Sequence, residues 1–457
     1  MKTNKKYVVY SILLALSMSG CGTYATFQKS TEKELVDELY TYIEATSDTT
    51  SLATLSWQEL FTDTYLQELI SQGLEQNSDL KIAQLNVEQA QIALSTARKA
   101  FLPSLSLEPQ GTISSFNETT TKIYNVSLSS SWEIDLFGRL RNAKEQSKTL
   151  LEQSVAYRQV VKTQLIATIA ESYYSLLMLD EQLRISEETQ ENWNSNMRVM
   201  EALKSAGRIN ETSVLQSKAS SVALSSQIVT IKEQIAALEN SISQLLALPT
   251  ENIERGTIDN VEFPKKISVG LPIQLLSNRP DIRMAESYLA QTFYATAEAR
   301  SSLYPTLTLS GSVGYTNNSG VIVNPGDMLY SLAASIVQPI FSRGTLKAQV
   351  QISESQQEQA LLQFKQTILD AGVEVNNAIS VLQSARERLG YGATQIELLE
   401  KTVTKTELLM KYGSSTALEV LTAQLSLLQI ELAYTAVKFN QIQGVINLYR
   451  ALGGGEI

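Results

Sequence analysis

The chain has 457 residues and no histidine. That removes the side chain that titrates near neutral pH, and with it the usual catalytic triads and most zinc sites. A single cysteine, Cys21, excludes a disulfide framework and a cysteine-rich metal centre. There is no glycine-rich phosphate loop and no metal-ligand spacing, and of the eight methionines only Met197 and Met200 pair at helical spacing. The sequence therefore assigns no catalytic residue, no cofactor and no metal. Acidic residues outnumber basic ones, 47 to 37, for a net charge of -10, which argues against nucleic acid as a partner. Proline is scarce, with nine in all, and none falls inside an expected helix beyond its first turn.

The cysteine closes a short leader. Lys2, Lys5 and Lys6 precede a mainly apolar run from Tyr7 to Met18, too short to span a bilayer as a mature helix. Ser19-Gly20-Cys21 follows, which resembles a bacterial lipoprotein signal with Cys21 as the acylated residue. Residues 1–20 are read as the signal peptide and 21–61 as a lipidated tether with a short helix. Losing 1–20 removes three lysines and no acids, so the mature charge becomes -13. Gly22 leaves the sorting signal after the cysteine open. No other run approaches the roughly 18 apolar residues of a membrane helix.

What the chain does contain is two periodicities. From Val126 to Asp135, Val126, Leu128, Trp132, Ile134 and Leu136 fall on one parity, and Ser127, Ser129, Ser131, Glu133 and Asp135 on the other. Strict alternation predicts a strand with one apolar and one polar face. Three further strands follow the same rule. Leu105, Leu107 and Ile113 alternate with Ser104, Ser106, Glu108 and Thr112, and Leu307, Leu309, Val313 and Tyr315 with Thr306, Thr308, Ser310 and Ser312. Tyr330, Leu332, Ala334 and Ile336 form the apolar parity of the fourth. Elsewhere the period is helical. A helix is expected from Thr62 to Ala100, stopping before Pro103. From Leu140 to Ala206 neither glycine nor proline occurs, so one helix of roughly 100 Å is expected, turning at Gly207–Asn210 and returning over Glu211–Leu248.

The pattern then repeats. Ala97-Arg98, Pro103, Leu105 and Leu107 recur as Ala299-Arg300, Pro305, Leu307 and Leu309, at an offset of 202. Phe137-Gly138-Arg139 recurs as Phe341-Ser342-Arg343, and Gly207, Val214 and Leu215 as Gly413, Val420 and Leu421. Kept order with a slowly drifting offset marks an internal duplication. The first repeat spans 62–248 (β-hairpin 103–137, helical tip near 207), and the second spans 280–452 (β-hairpin 305–341, tip near 413). An irregular segment, 249–279, joins them, and 453–457 is a tail. The Ser115–Thr121 and Thr316–Asp327 links would be loops on one side of the membrane, with Asn318-Ser319 exposed outside the cell.

A strand with one greasy and one wet face suits a wall between lipid and water. Backbone groups in lipid must all be paired, so a spanning sheet has to close, and four strands per chain are too few. Several copies must pool their strands, and three copies of four make 12.

These residues resemble the TolC-like outer-membrane factors, in particular the lipoprotein branch of efflux channels. The resemblance rests on Ser131-Trp132-Glu133-Ile134-Asp135-Leu136-Phe137-Gly138-Arg139, Asn278-Arg279-Pro280-Asp281-Ile282-Arg283, Ala299-Arg300 before Pro305, and Tyr449-Arg450-Ala451-Leu452-Gly453-Gly454-Gly455. It implies an α+β membrane protein: a trimeric 12-stranded β-barrel continued by a long α-helical coiled-coil tunnel in the periplasm. It implies a homotrimer in the outer-membrane lipid of a Gram-negative bacterium, working with a periplasmic adaptor and an inner-membrane transporter as an exit duct for small molecules such as drugs. A duct for protein secretion and a coiled-coil scaffold without a pore are the alternatives. The family closes its tunnel at the periplasmic tip. There the usual aspartate position is Thr422 and a usual arginine position is Leu425, so the common charge network is missing. Leu418 is then the expected apolar constriction. Glu419 is either a displaced acidic ring or a solvated tip residue. Gly207, Arg208, Tyr412 and Gly413 are the expected adaptor contacts. Glu133 and Asp135 are read as lumen carboxylates that also pair or cap locally at the strand-to-helix corner.

Overall fold

The computed structural model describes residues 26–28, 55–250, 252–261, 263, 279–317 and 326–454. Residues 1–20, read as a signal peptide, Cys21, most of the expected tether, Asn318-Ser319 and 455–457 lie outside the described residues. In chain order the elements are α1 (Trp57–Leu60), α2 (Thr64–Gln76), α3 (Ser78–Lys99), β1 (Ser104–Phe116), β2 (Thr119–Ile134), α4 (Arg139–Ser205), α5 (Glu211–Leu245), a 3₁₀ turn (Ile258–Asn260), α6 (Pro280–Ser301), β3 (Thr306–Thr316), β4 (Asp327–Val337), α7 (Thr345–Lys411) and α8 (Ala417–Ala451). The duplication is visible in the lengths. Helices α3 and α6 both have 22 residues, α4 and α7 both 67, and α5 and α8 both 35.

Two boundaries differ from the sequence expectation. The helix expected over Thr62–Ala100 is broken at Asn77, which has extended backbone (ψ 130). Its side chain accepts from Leu80 N at 3.0 Å, so it caps α3, and donates to the Leu245 carbonyl at 2.8 Å. The Ser115–Thr121 link shrinks to Asn117-Glu118, both with positive φ (46° and 62°), and pairing continues through Phe116 and Thr119. That is the geometry of a two-residue hairpin turn, whose backbone twist matches the strands.

The chain forms two compact units, interleaved in sequence. One holds residues 84–156 and 283–367, and so the whole sheet. The strands run in the order β1-β2-β3-β4, each antiparallel to its neighbour. The two hairpins are thus joined by the β2–β3 pairing, from Asn125↔Thr316 to Ile134↔Leu307. Gly314 is needed there, because a Cβ would sit 2.3 Å from the Val126 carbonyl oxygen.

The other unit holds residues 32–83, 157–282 and 368–457. Its core is aromatic. Phe61 meets Tyr174 and Tyr449 with ring centres 6.3 and 6.4 Å apart, and Tyr173 donates to Asp63 at 2.6 Å. Burial and the Asp63 bond together push the Tyr173 phenol well above its ordinary pKa. The buried Arg279 explains the Asn278-Arg279-Pro280-Asp281 stretch. It donates to the Ala451 carbonyl at 2.9 Å, satisfying the end of α8, and pairs with Asp281 and Glu374.

Helix α8 also corrects the hydropathy reading. It contains an 18-residue window of mean hydropathy 1.3, long and apolar enough to cross a bilayer by composition. Its apolar residues serve packing: Val437, Ile442, Val445, Ile446, Leu448 and Tyr449 are all buried within the chain.

Candidate functional site

The sheet presents two chemically distinct faces. Register places Leu107 opposite Leu128, Leu128 opposite Val313, Val313 opposite Tyr330, and Gly311 opposite Leu332. The row Leu107–Leu128–Val313–Tyr330 is therefore apolar across all four strands, on a face that is mainly apolar. Among the described residues nothing covers it, to the point that Leu332 is 90% exposed. The opposite face carries Ser106, Ser129 and Glu108, joined by hydrogen bonds of 2.8 and 2.9 Å, and Ser312 with Ser331 at 2.8 Å. Such a wall suits lipid on one side and water on the other.

At the foot of β2 the two expected carboxylates do different work. Glu133 remains on the polar parity and takes a fork of bonds from Arg139, at 2.9 and 2.5 Å. That bond holds the Arg139 guanidinium firmly protonated against its partial burial. Asp135 lies past the strand end with only 7% of its side chain exposed. It accepts from Leu140 N (3.2 Å), Arg141 N (3.1 Å) and Arg141 Nε (3.0 Å), so it caps α4. Gly138 turns the corner with φ 84°, and Phe137 stacks on Tyr304 at 5.0 Å. The corner of the second repeat has Val337 and Pro339 at the equivalent places, so this polar construction belongs to the first repeat alone.

The two helical tips are built alike. Gly207 (φ 72°) and Gly413 (φ 78°) end α4 and α7 in the left-handed conformation. Arg208 N bonds back to Leu203 O and Ser414 N to Leu409 O, both at 2.9 Å, closing the last turns. Arg208 and Tyr412 are exposed. Beneath the tips Met200, Val214, Met410, Ala417 and Val420 form a buried cluster, so the two hairpins pack on each other.

Leu418, Thr422 and Leu425 share one face of α8, at i, i+4 and i+7, and all three are exposed within the chain. Glu419 belongs to a capping box that the sequence reading overlooked, although Thr416-Ala417-Leu418-Glu419 has its signature. Thr416 Oγ1 accepts from Glu419 N at 3.3 Å, and Glu419 Oε2 accepts from Thr416 N at 3.0 Å and from the Ser415 hydroxyl. The Ser415 bond, then the Thr416 amide, holds the Glu419 carboxyl below its usual pKa.

With this geometry in place, the similarities to known proteins become informative. The family model described as "Outer membrane efflux protein" matches residues 69–248 and 271–454. The pyoverdine export outer membrane protein OpmQ of Pseudomonas putida is 30% identical over 417 residues, covering 87% of this chain and 88% of that protein. The cation efflux system protein CusC of Escherichia coli O6:H1 is 26% identical over 461 residues, 97% of each chain. The solved structure of the outer-membrane channel OprN superposes with a TM-score of 0.85 at 25% identity, over 95% of this chain and 99% of that one.

Proposed function

This chain belongs to the outer membrane efflux protein family, and we propose that it works as a homotrimeric duct for small molecules, gated at its helical tips and anchored by a lipid on Cys21. It is an α+β outer-membrane channel, the exit duct of a tripartite efflux system, with a large periplasmic portion. The related channels are trimers that work with adaptor proteins and inner-membrane pumps. The observation that carries the reading is the four-stranded sheet with one apolar face, one polar face and, among the described residues, two unpaired edges, β1 and β4. In lipid those edges have to be paired, and β4 of one copy beside β1 of the next does so antiparallel. The polar face then lines the lumen. Glu133 stands at its rim, its charge offset by Arg139, while Asp135 secures the corner.

The helical tips are the site of closure in this reading. Leu418 and Leu425, on the exposed face of α8, pack against their symmetry mates and seal by apolar contact. Thr422 stands between them where the family usually places an acid. Glu419 is held charged by its cap and sets a preference for cations. Gly207, Arg208, Tyr412 and Gly413 present the tips to a periplasmic adaptor. Pyoverdine export and cation efflux are named for relatives whose cargoes differ chemically, so small molecules are the cargo class that fits a duct of this kind.

The test combines reconstitution and physiology. Purified full-length protein should give step-like conductance in planar bilayers. Loss of the gene should sensitise cells to toxic small molecules, with rescue only when the cognate pump is present. Mass spectrometry should find lipid on Cys21 at the mature N-terminus. A protein that gives no conductance overturns the duct reading, and one whose loss abolishes secretion of a protein without changing small-molecule tolerance overturns the cargo.

A further inference from the structure

The two corners where a strand passes into a long helix are copies of one another, but their charges are not. In the first, the foot of β2 and the start of α4 lie against the end of α6. Ser301 Oγ donates to the Phe137 carbonyl at 3.0 Å, and Phe137 stacks on Tyr304. The three arginines of this corner each meet an acid. Arg139 pairs with Glu133 and lies in the field of Glu298, Arg141 pairs with Asp135, and Arg300 pairs with Glu354 at 2.7 Å.

The second corner keeps the cations and has lost the acids. Arg343 stands for Arg139 and, counted from the turn glycines Gly138 and Gly344, Lys347 stands for Arg141. At the offset of 202, Arg98 stands for Arg300 and Lys99 for Ser301. The places of Glu133, Asp135, Glu298 and Glu354 hold Val337, Pro339, Thr96 and Lys148. Among the described residues no acid pairs with Arg98, Lys99, Arg343 or Lys347, and all four are exposed. In a chain of net charge -10 this is a local reversal of sign.

These four cations sit at the two outer strands of the sheet. Arg98 and Lys99 end α3, which leads into β1, and Arg343 and Lys347 lie at the start of α7, which follows β4. Pairing of β4 with β1 of the next copy therefore sets them side by side, as the β2–β3 pairing sets α4 beside α6. Like charges gathered at such a seam oppose assembly unless an anion stands between them. The seam also lies at the foot of the lipid-facing side. Trp132, on the apolar parity, donates Nε1 to the Phe101 carbonyl at 2.9 Å, which ties the α3–β1 link to that side. Leu102 and Ile340 are exposed there, Ile340 to 94%. Arg98 and Lys99 stand one helical turn beyond Leu102, about 5 Å, which is within the depth of a head-group layer.

We propose that each seam between copies binds the head group of an anionic phospholipid of the periplasm-facing leaflet. Arg343 and Lys347 of one copy and Arg98 and Lys99 of the next hold its phosphate, and Leu102 and Ile340 meet its acyl chains. This rests on the trimeric duct reading above. Arginine suits phosphate because its planar donors match two phosphate oxygens, and basic side chains beside a membrane draw anionic lipid by charge. The lipid then serves as the counter-ion that the first corner builds from its own acids.

The test is native mass spectrometry and heat dissociation of the purified full-length trimer in neutral detergent, with phosphatidylglycerol, phosphatidylcholine or inorganic phosphate added. Phosphatidylglycerol should stay bound, up to one per seam, under conditions that strip phosphatidylcholine, and should raise the dissociation temperature. The variant Arg98→Gln, Lys99→Gln, Arg343→Gln, Lys347→Gln should hold phosphatidylglycerol about tenfold more weakly. In detergent alone it should be at least as heat-resistant as wild type, because the repulsion is gone; a merely structural role would make it weaker there. Thr96→Glu with Val337→Glu restores two acids of the first corner and should abolish the lipid preference with all four cations in place. A control, Lys218→Gln, Lys232→Gln, Lys401→Gln, Lys405→Gln, removes the same charge from the other unit and should bind as wild type does. Equal retention of the two lipids, or undiminished phosphatidylglycerol binding in the first variant, overturns the proposal. Stabilisation by inorganic phosphate equal to that by phosphatidylglycerol gives the seam to a free anion and overturns the lipid. Wild-type protein that forms no trimer in neutral detergent places the failure in the duct reading instead.

Discussion

Asp135→Asn separates two roles that a carboxylate at the foot of a barrel strand can play. In the native corner both carboxylate oxygens accept: Oδ1 from Leu140 N, and Oδ2 from Arg141 N and Nε. An asparagine keeps one acceptor and turns the other into an amino group, which then faces the two Arg141 donors. Two bonds to a charged acceptor are lost. At about 1.5–3 kcal/mol each they suggest roughly 3–6 kcal/mol. The Arg141 side chain is 43% exposed, so solvent screening reduces its share. A loss of about 2–4 kcal/mol per chain is expected, the size of a helix cap plus one partly screened ion pair. The assay is the dissociation temperature of the purified trimer at a fixed heating rate, because unfolding of such an assembly is governed by its rate. A drop of roughly 2–6 °C should appear, scaled down from the response of smaller domains. Ion selectivity should be unchanged. A variant as heat-resistant as wild type that has lost cation selectivity would refute the reasoning, since the carboxylate would then face the lumen.

Three further outcomes are expected. Leu418→Ala should enlarge resting conductance: full burial of a leucine is worth about 2–5 kcal/mol and a partly wet constriction less, but the loss occurs in every protomer. Glu419→Gln should weaken cation preference while leaving closure intact. Its folded pKa lies below its unfolded value, so the contribution of the cap is full above the unfolded value and disappears as pH falls through the folded one; wild-type selectivity measured across the acidic range should fall in that direction, and the variant should be flat. Ala247→Gly should stabilise the protein by about 0.5–1 kcal/mol in thermal unfolding. Ala247 ends α5 at φ 53°, where the second repeat has Gly453 at φ 83°; relief of a left-handed alanine exceeds the extra freedom glycine gains when unfolded.

Much of this architecture is legible in the sequence because both of its periodicities are long. Alternation over ten residues places Leu128 and Trp132 on one face, and 67 residues free of glycine and proline predict α4 to within one residue at each end. Asn77 escapes that logic, since a cap formed by a polar side chain leaves the helical spacing on either side intact. Helix α5 stops three residues short of Leu248 for a related reason: Ala247 adopts a conformation that composition reserves for glycine. The β2–β3 pairing is also silent in the sequence, because alternation states which face a residue occupies and not which strand lies beside it. At the tip, the face shared by Leu418, Thr422 and Leu425 follows from spacing alone. The Glu419 cap was present as Thr416-x-x-Glu419. The bond from Asn196 Nδ2 on α4 to Glu407 Oε1 on α7 was out of reach, because it joins side chains 211 positions apart in sequence at 2.8 Å.

The asymmetry between the two repeats is itself an argument for closure. On α5, Leu215, Val222 and Val229 recur every seven residues and are exposed within the chain. Their equivalents on α8, at an offset of 206, are Leu421, Leu428 and Thr435, all buried. Leu428 packs with Ile185, Trp193 and Leu224 of the first hairpin. The second return helix thus finds its cover inside the chain, on the hairpin that precedes it. Among the described residues no hairpin precedes the first return helix, built to the same plan, and its heptad stripe is bare. A bare stripe of this kind is costly in water and matches what a coiled-coil partner supplies. The β-sheet has the same deficit in another form, with β1 and β4 each lacking a second neighbour among the described residues. One neighbouring copy, placed so that its second repeat precedes the first repeat of this one, meets both needs at once. The requirement repeats from copy to copy, and only a closed ring leaves no stripe bare and no edge open.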